Sequence, residues 1–348
     1  MGSVRVNFAS DNAYGAMPEI IAALAQANDC PARSYGDDGV TARVRARLND
    51  IFEREVFAYP VITGTAANAL SLATLVPPHG AIVCHAESHI AVDECGAPEF
   101  FSHGAKLVAL EGAHAKISPA AIEHALAHFQ KGFVHHAQPT AISLTQATER
   151  GTVYSLSELR AISDVARRHE LKLHLDGARF ANALVHLGCS PADATWRAGV
   201  DALSFGATKN GALGAEAVVF FHEKDVADFE YRRKKSGHLL SKMRFLSAQL
   251  DAYLENERWL KSAAHANTLA RKLGGALSQI PGAELADPVE ANAVFARLPD
   301  ETVARLRKAG AVFYDWTPPT NGKTLIRLVT SFATPDEAID RFIATAGG

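Results

Sequence analysis

Leucines at 171, 173 and 175 alternate with Lys172, His174 and Asp176, the period-two pattern of a half-buried strand that delivers its last acid to its C-terminal end. Short apolar runs of the same kind recur at 56–61, 81–84, 107–110, 141–145 and 202–206. Between them lie stretches with apolar residues three and four apart. Val44, Leu48 and Ile51 line one face of a helix predicted over 41–52, and further helices are expected over 17–27, 69–75, 85–94, 119–129 and 157–169. Strands alternating with helices imply a mostly parallel sheet with helices on its faces, an α/β fold.

From about Leu250 the pattern changes. One long helix is predicted through Leu277, then a strand over 291–298, a helix to Lys308, and strands over 311–316 and 324–332. Thr334-Pro335-Asp336-Glu337 supplies a cap, a first-turn proline and acids for a last helix. The chain therefore reads as a large domain over 1–249, opening with an extended arm at 4–12, and a small C-terminal α/β domain over 250–348.

Composition narrows the function. A chain of 348 residues that is 48% hydrophobic can bury a large core. Its net charge of -3, with both signs scattered, gives no basic footprint for nucleic acid. No apolar run approaches the roughly 20 residues of a membrane helix, and residues 1–5 lead into strand-like sequence rather than a signal segment. Cys30, Cys84, Cys95 and Cys189 form no Cys-x-x-Cys pair, which fits reduced thiols in a cytoplasm. A soluble cytoplasmic protein acting on a small molecule is expected.

The second apolar run, 202–206, leads through Thr208 to Lys209, a lone ammonium in an otherwise apolar segment. Taken singly, Asp176 fits a helix cap, Lys209 a surface lysine and Arg179 the partner of some acid. Together they are what a pyridoxal phosphate enzyme needs: a lysine to attach the cofactor, an aspartate to keep its ring nitrogen protonated, and an arginine for a substrate carboxylate. Gly64 and Thr65 open a helix, where free amides and a hydroxyl suit a phosphate, although no Gly-Lys-Ser/Thr of a P-loop follows. His85 and His89 stand four apart, but no His-Glu-x-x-His motif or third ligand accompanies them, and no metal is expected.

Ser10-Asp11-Asn12, Tyr35-Gly36-Asp37-Asp38, Gly64-Thr65-Ala66-Ala67-Asn68, His89 with Glu94, Asp176-Gly177-Ala178-Arg179, Lys209 and Ile326-Arg327-Leu328-Val329-Thr330 together resemble the low-specificity L-threonine aldolases. These are pyridoxal phosphate enzymes of fold type I, in the aspartate aminotransferase superfamily, and the motifs follow the family's order over nearly the whole chain. The resemblance implies a fold type I large domain with a small C-terminal domain. It makes Lys209 the cofactor lysine, Asp176 the partner of the ring nitrogen and His89 the imidazole stacked on the ring. It sets Gly64, Thr65, Thr208 and Arg179 around the cofactor. Lys234 and Lys242, from the basic segment 232–244, would reach the cofactor phosphate of an adjacent subunit. His135 would be the second catalytic histidine, near the substrate hydroxyl, and Ser10, Tyr35, Arg179 and Arg327 would contact substrate.

The implied reaction is reversible cleavage of L-3-hydroxy-α-amino acids, such as L-threonine, L-allo-threonine or L-phenylserine, to glycine and an aldehyde. The implied assembly is a homodimer with shared active sites, commonly paired into a tetramer. The rival readings are β-elimination or transamination of another L-amino acid on the same cofactor, a cofactor-binding protein without turnover, and a metal-dependent hydrolase built on His85 and His89.

Overall fold

The computed structural model describes residues 6–348, so residues 4 and 5 of the expected arm, and the whole of 1–5, lie outside the described residues. Among the described residues, the larger sheet has seven strands: β1 (Phe57–Val61), β2 (Gly80–His85), β3 (Lys106–Leu110), β4 (Gln138–Thr145), β5 (Lys172–Gly177), β6 (Ala202–Gly206) and β7 (Glu216–Phe220). They lie in the order β1-β7-β6-β5-β4-β2-β3. The run from β3 to β6 is parallel, whereas β7 pairs antiparallel with both β6 and β1. The sheet is thus mixed, because the unanticipated β7 slots between β6 and β1. All five of its residues are buried, as a run covered on both faces should be.

Register decides where the chemistry sits. Thr145 on β4, Asp176 on β5 and Ser204 on β6 are neighbours across three parallel strands. The crevice beyond their C-terminal ends is the usual ligand position of such sheets. Behind it, His174 is held between the Ser143 hydroxyl (2.9 Å) and the Ser204 hydroxyl (3.0 Å).

A second sheet joins β8 (Glu284–Leu285), β9 (Ala293–Pro299), β10 (Tyr314–Asp315) and β11 (Lys323–Val329) in the order β10-β11-β9-β8, all antiparallel. Its core includes Val6 and Phe8 of the arm, with Leu273, Leu277, Ile326 and Phe342. Phe8 meets the Phe342 ring edge-on at 5.2 Å, and burying a phenylalanine contributes about 2–3 kcal/mol.

Three expectations differ from what the structure shows. The long helix predicted from Leu250 is two helices, Arg244–Leu254 and Arg258–Leu277, because Asn256 and Glu257 turn to positive φ (53° and 55°) between them. The boundary expected after 249 also falls inside the first of these, whose Leu250, Tyr253 and Leu254 pack into the core of the larger sheet. Packing passes between the cores within Arg258–Leu277: Trp259 and Ala263 belong to the first and Leu269, Leu273 and Leu277 to the second. The predicted helix over 85–94 shrinks to His89–Val92, since β2 continues to His85. His85 and His89 therefore do not share a helix face. The His85 ring instead lies 3.1 Å from the Gly112 carbonyl and accepts from the Glu87 amide. Among the described residues no helix is long and apolar enough to cross a membrane.

Candidate active site

Asp176, next to last on β5, is buried. Its Oδ1 accepts from the Ala178 amide (2.9 Å) and its Oδ2 from Asn68 Nδ2 (2.7 Å). Asn68 projects from the helix Gly64–Leu75, whose N-terminus is capped by the Thr63 hydroxyl accepting from the Ala66 amide. The same Asn68 amide donates to Glu94 Oε1 (2.8 Å), which lies 2.8 Å from His89 Nδ1. A polar chain thus runs from His89 through Glu94 and Asn68 to Asp176, and the carboxylate fixes the imidazole's orientation. The bond to Glu94 holds His89 above the usual imidazole range against the opposing effect of burial, while burial raises Glu94 itself.

Lys209 stands on the short turn Thr208–Asn210 just past β6. Asn210 anchors that turn by donating to the Tyr253 hydroxyl and the Trp259 carbonyl, both at 2.8 Å. Gly206 permits the approach of β6 to the Asp176 turn, since a Cβ there would fall 2.6 Å from the Ala178 carbonyl oxygen. Burial, then the charge of Arg179, lowers the Lys209 pKa, although Asp11, Asp176 and Glu216 pull the other way. A depressed lysine pKa raises the fraction of free amine, the nucleophilic form. Glu216, which accepts from the Ala207 amide at 2.8 Å, is pushed up to about 7 by burial.

The two arginines differ. Arg179 is tied to Asp11 through Nε (2.7 Å) and Nη2 (3.0 Å), and Asn292 donates to the same carboxylate at 3.2 Å. Burial alone would raise Asp11; Arg179 and then Lys209 hold it below the usual carboxylate range. Arg327, on β11, touches no carboxylate among the described residues. It donates to the Ala9 carbonyl at 3.2 Å and stacks over Trp316 (5.2 Å) and Tyr314 (5.5 Å), with its buried Nε unpartnered. Burial, then Arg179, lowers its pKa. A guanidinium in that setting is suited to a ligand carboxylate.

One cavity is lined by Gly64, His89, Asp176, Arg179 and Lys209. Thr65 follows Gly64 in the same helix start, and Ser10 caps the turn carrying Asp11. The Thr208 hydroxyl donates to the Ala215 carbonyl at 3.4 Å and accepts from the Ala215 amide at 3.2 Å, within its own loop.

Other expected residues lie elsewhere. His135 does not reach the cavity within this chain. It sits on an exposed loop before β4, its ring 4.9 Å from Phe133. The eight residues of β4, at about 3.3 Å each, put roughly 20 Å or more between its ends. Tyr35, Lys234 and Lys242 are exposed. They gather in a second region, where the Lys234 ammonium lies 4.8 Å from the Tyr35 ring centre and the Tyr35 amide donates to the Ser241 carbonyl. The basic segment is not uniform, because Arg233 is buried and donates to the Pro60 carbonyl at 3.1 and 2.8 Å.

The cavity also contains polar residues for which no role was expected: Asn68, Thr145 and Glu149. Glu149 follows the end of β4, and a polar residue at that place in a parallel sheet was the available signal. Its Oε1 accepts from the His89 amide (2.9 Å) and the Thr145 hydroxyl (2.8 Å).

Comparison with known proteins places the chain among relatives. The model of the beta-eliminating lyase family matches residues 7–301. The chain is 46% identical over 307 residues to the low specificity L-threonine aldolase of Pseudomonas sp. (strain NCIMB 10558), covering 88% of each chain. The protein of that name from Pseudomonas aeruginosa matches at the same identity and coverage. The solved structure of Leishmania major threonine aldolase superposes with a TM-score of 0.92 at 28% identity, covering 98% of both chains, so the fold is that of fold type I pyridoxal phosphate enzymes. The chain belongs to the beta-eliminating lyase family, and within it to the group of the low-specificity L-threonine aldolases.

Proposed function

We propose that the protein is a pyridoxal phosphate-dependent lyase that cleaves L-3-hydroxy-α-amino acids, L-threonine and L-allo-threonine among them, to glycine and an aldehyde. The observation that carries this reading is the meeting of Lys209, Asp176 and His89 in one cavity, in a chain 46% identical to low specificity L-threonine aldolases.

The donor set fits the cofactor. A buried carboxylate, a lysine of lowered pKa and a helix start opened by glycine match a pyridinium nitrogen, an aldehyde carbon and a phosphate. When bound, pyridoxal phosphate takes up the electron pair left on the α-carbon when the α–β bond breaks. Lys209 supplies the amine that attaches it. Asp176, held by Asn68 and the Ala178 amide, favours the protonated ring nitrogen, because an anion beside a cation stabilises the charged form. The free first-turn amides at Gly64 and Thr65 suit the phosphate, and His89, oriented by Glu94, suits the face of the ring. Arg327, stacked and without a carboxylate partner, takes the substrate carboxylate with Arg179 beside it.

The exposed cluster of Tyr35, Lys234 and Lys242 supports a closed dimer, in which each basic segment completes the partner's phosphate site. Two such dimers would form a tetramer. The unpaired cysteines support a reducing compartment, the cytoplasm.

β-Elimination of another L-amino acid is the second reading, favoured by the family model. Purified protein with cofactor separates the two. Release of aldehyde and glycine from L-threonine, L-allo-threonine or L-phenylserine is expected; formation of a 2-oxo acid and ammonia without glycine overturns the aldol reading.

A further inference from the structure

The polar groups of the cavity are not equally engaged. Asp11 is engaged through both oxygens by Arg179 and Asn292, and Asp176 through both by Asn68 and the Ala178 amide. Glu94 is committed to orienting His89. Glu94 and Glu149 each keep a buried Oε2 without a partner, but Glu94 Oε1 is tied to the His89 ring and Asn68, whereas Glu149 Oε1 accepts from the His89 amide and the Thr145 hydroxyl. Among the described residues no arginine or lysine is bonded to it. Arg150, the next residue, turns instead to Glu87 and Asp287. A buried carboxyl oxygen without a partner is costly, a cost relieved when a ligand hydroxyl arrives.

The cleavage proposed above needs a proton acceptor at the substrate's 3-hydroxyl. His135 is on an exposed loop of this chain, and His89 is held through Nδ1 by Glu94, a bond that raises its pKa. Resting on the aldol reading, we infer that Glu149 is a catalytic residue, the base that takes the 3-hydroxyl proton in cleavage and returns it in synthesis.

The step balances. As the Cα–Cβ bond breaks, the O–H bond breaks with it, the proton moves to Glu149 Oε2, and the O–H electron pair becomes the second bond of the aldehyde carbonyl. The Cα–Cβ pair stays with the α-carbon. Glu149 gives its proton to solvent once the aldehyde has left, and solvent supplies the proton that the α-carbon of glycine gains, by a route that does not pass through Glu149. The groups facing it are His89, Glu94, Asp176, Arg179 and Lys209. Burial first, then the charge of Asp176, pushes Glu149 up to about 7, where a general base works best at neutral pH.

Glu149→Gln tests this, because the amide oxygen can still accept from the His89 amide and the Thr145 hydroxyl. Cleavage kcat on L-threonine should fall about 10²- to 10⁴-fold, the range for a lost general base. Exchange of the glycine α-proton with deuterated solvent, which involves no hydroxyl, should stay within about threefold of the parent by the same reasoning. Glu149→Asp should recover part of the cleavage rate. In cofactor-free protein, carboxyl carbon NMR should show a glutamate titrating near neutrality that is absent from Glu149→Gln. Cleavage retained in Glu149→Gln, glycine exchange lost in parallel with cleavage, or no such titration would overturn the assignment. A parent protein that exchanges glycine but cleaves no 3-hydroxy amino acid would remove the aldol reading and this inference with it.

Discussion

The crevice at the ends of β4, β5 and β6 and the surface around Tyr35, Lys234 and Lys242 are both rich in charge, yet they are built differently. In the crevice the carboxylates are held by partners from elsewhere in the chain: Asp11 by Arg179, Asp176 by Asn68, Glu94 by His89. On the surface, Lys234 and Lys242 have no carboxylate, and one of them merely rests over an exposed tyrosine ring. Buried charge must be paired to be tolerated, whereas exposed charge is solvated without a partner. A single chain therefore pairs most carboxylates of the first region within itself and leaves the second open to an anion or another subunit.

The contrast is tested most severely at Lys209. Lys209→Ala should reduce aldehyde release to background while far-ultraviolet circular dichroism is unchanged, because the nucleophile goes and the fold does not depend on it. Measurable turnover would break the central assignment. Asp176→Asn should lower kcat on the order of 10²- to 10³-fold, the scale for removing one preorganised electrostatic partner. A rise in KM alone would reassign it to binding.

The arginines sharpen the comparison within the crevice. Arg179→Ala leaves the buried Asp11 without its cation and should destabilise the fold by about 3–5 kcal/mol, seen in urea unfolding. Arg327→Ala breaks no ion pair; it should raise KM for L-threonine by a factor corresponding to roughly 2 kcal/mol, with stability little changed. Equal effects of both on unfolding would erase the distinction.

A smaller effect concerns pH. Burial lowers His174 to about 4, below its value of about 6.5 in the unfolded chain. The folded state then binds fewer protons, so this contribution is present above the unfolded pKa and is lost as pH falls toward 4. Between pH 7 and 5 the parent should lose about 2 kcal/mol more stability than His174→Gln. Glu149 and Glu216, raised to about 7, act in the opposite sense, their contribution fading as pH rises from about 4.5, so the difference between the two proteins is the quantity to read. No shift at all would mean that His174 is solvated.

The smallest effect belongs to the open surface. Changing Lys234 and Lys242 together to alanine should weaken cofactor retention by up to about fivefold at low salt and leave unfolding unaltered, as exposed charges contribute little. Mixing these subunits with Lys209→Ala subunits should restore some activity. If subunits are shown to exchange and none returns, the shared-site dimer is wrong.

Local pattern carried much of this protein. The alternation at 171–176 fixed a strand ending on Asp176, the small residues at 64–68 a helix start, and the run before Lys209 a strand end, because each follows from side-chain periodicity within a few residues. The parallel order of β2 to β6 followed from strands and helices taking turns. Contacts between distant residues decided the rest. Nothing near Asp11 announces that it binds Arg179, nothing near Glu149 that it meets the His89 amide, and the apolar run at 216–220 does not say that it enters the sheet antiparallel. His135 carries the right chemistry on the wrong end of its strand for this chain. The break at Asn256 and Glu257 was likewise hidden, since the apolar spacing continues across it while two backbone angles reverse. Periodicity records which face a side chain takes; only packing selects the partner, because that choice depends on how distant segments exclude water together.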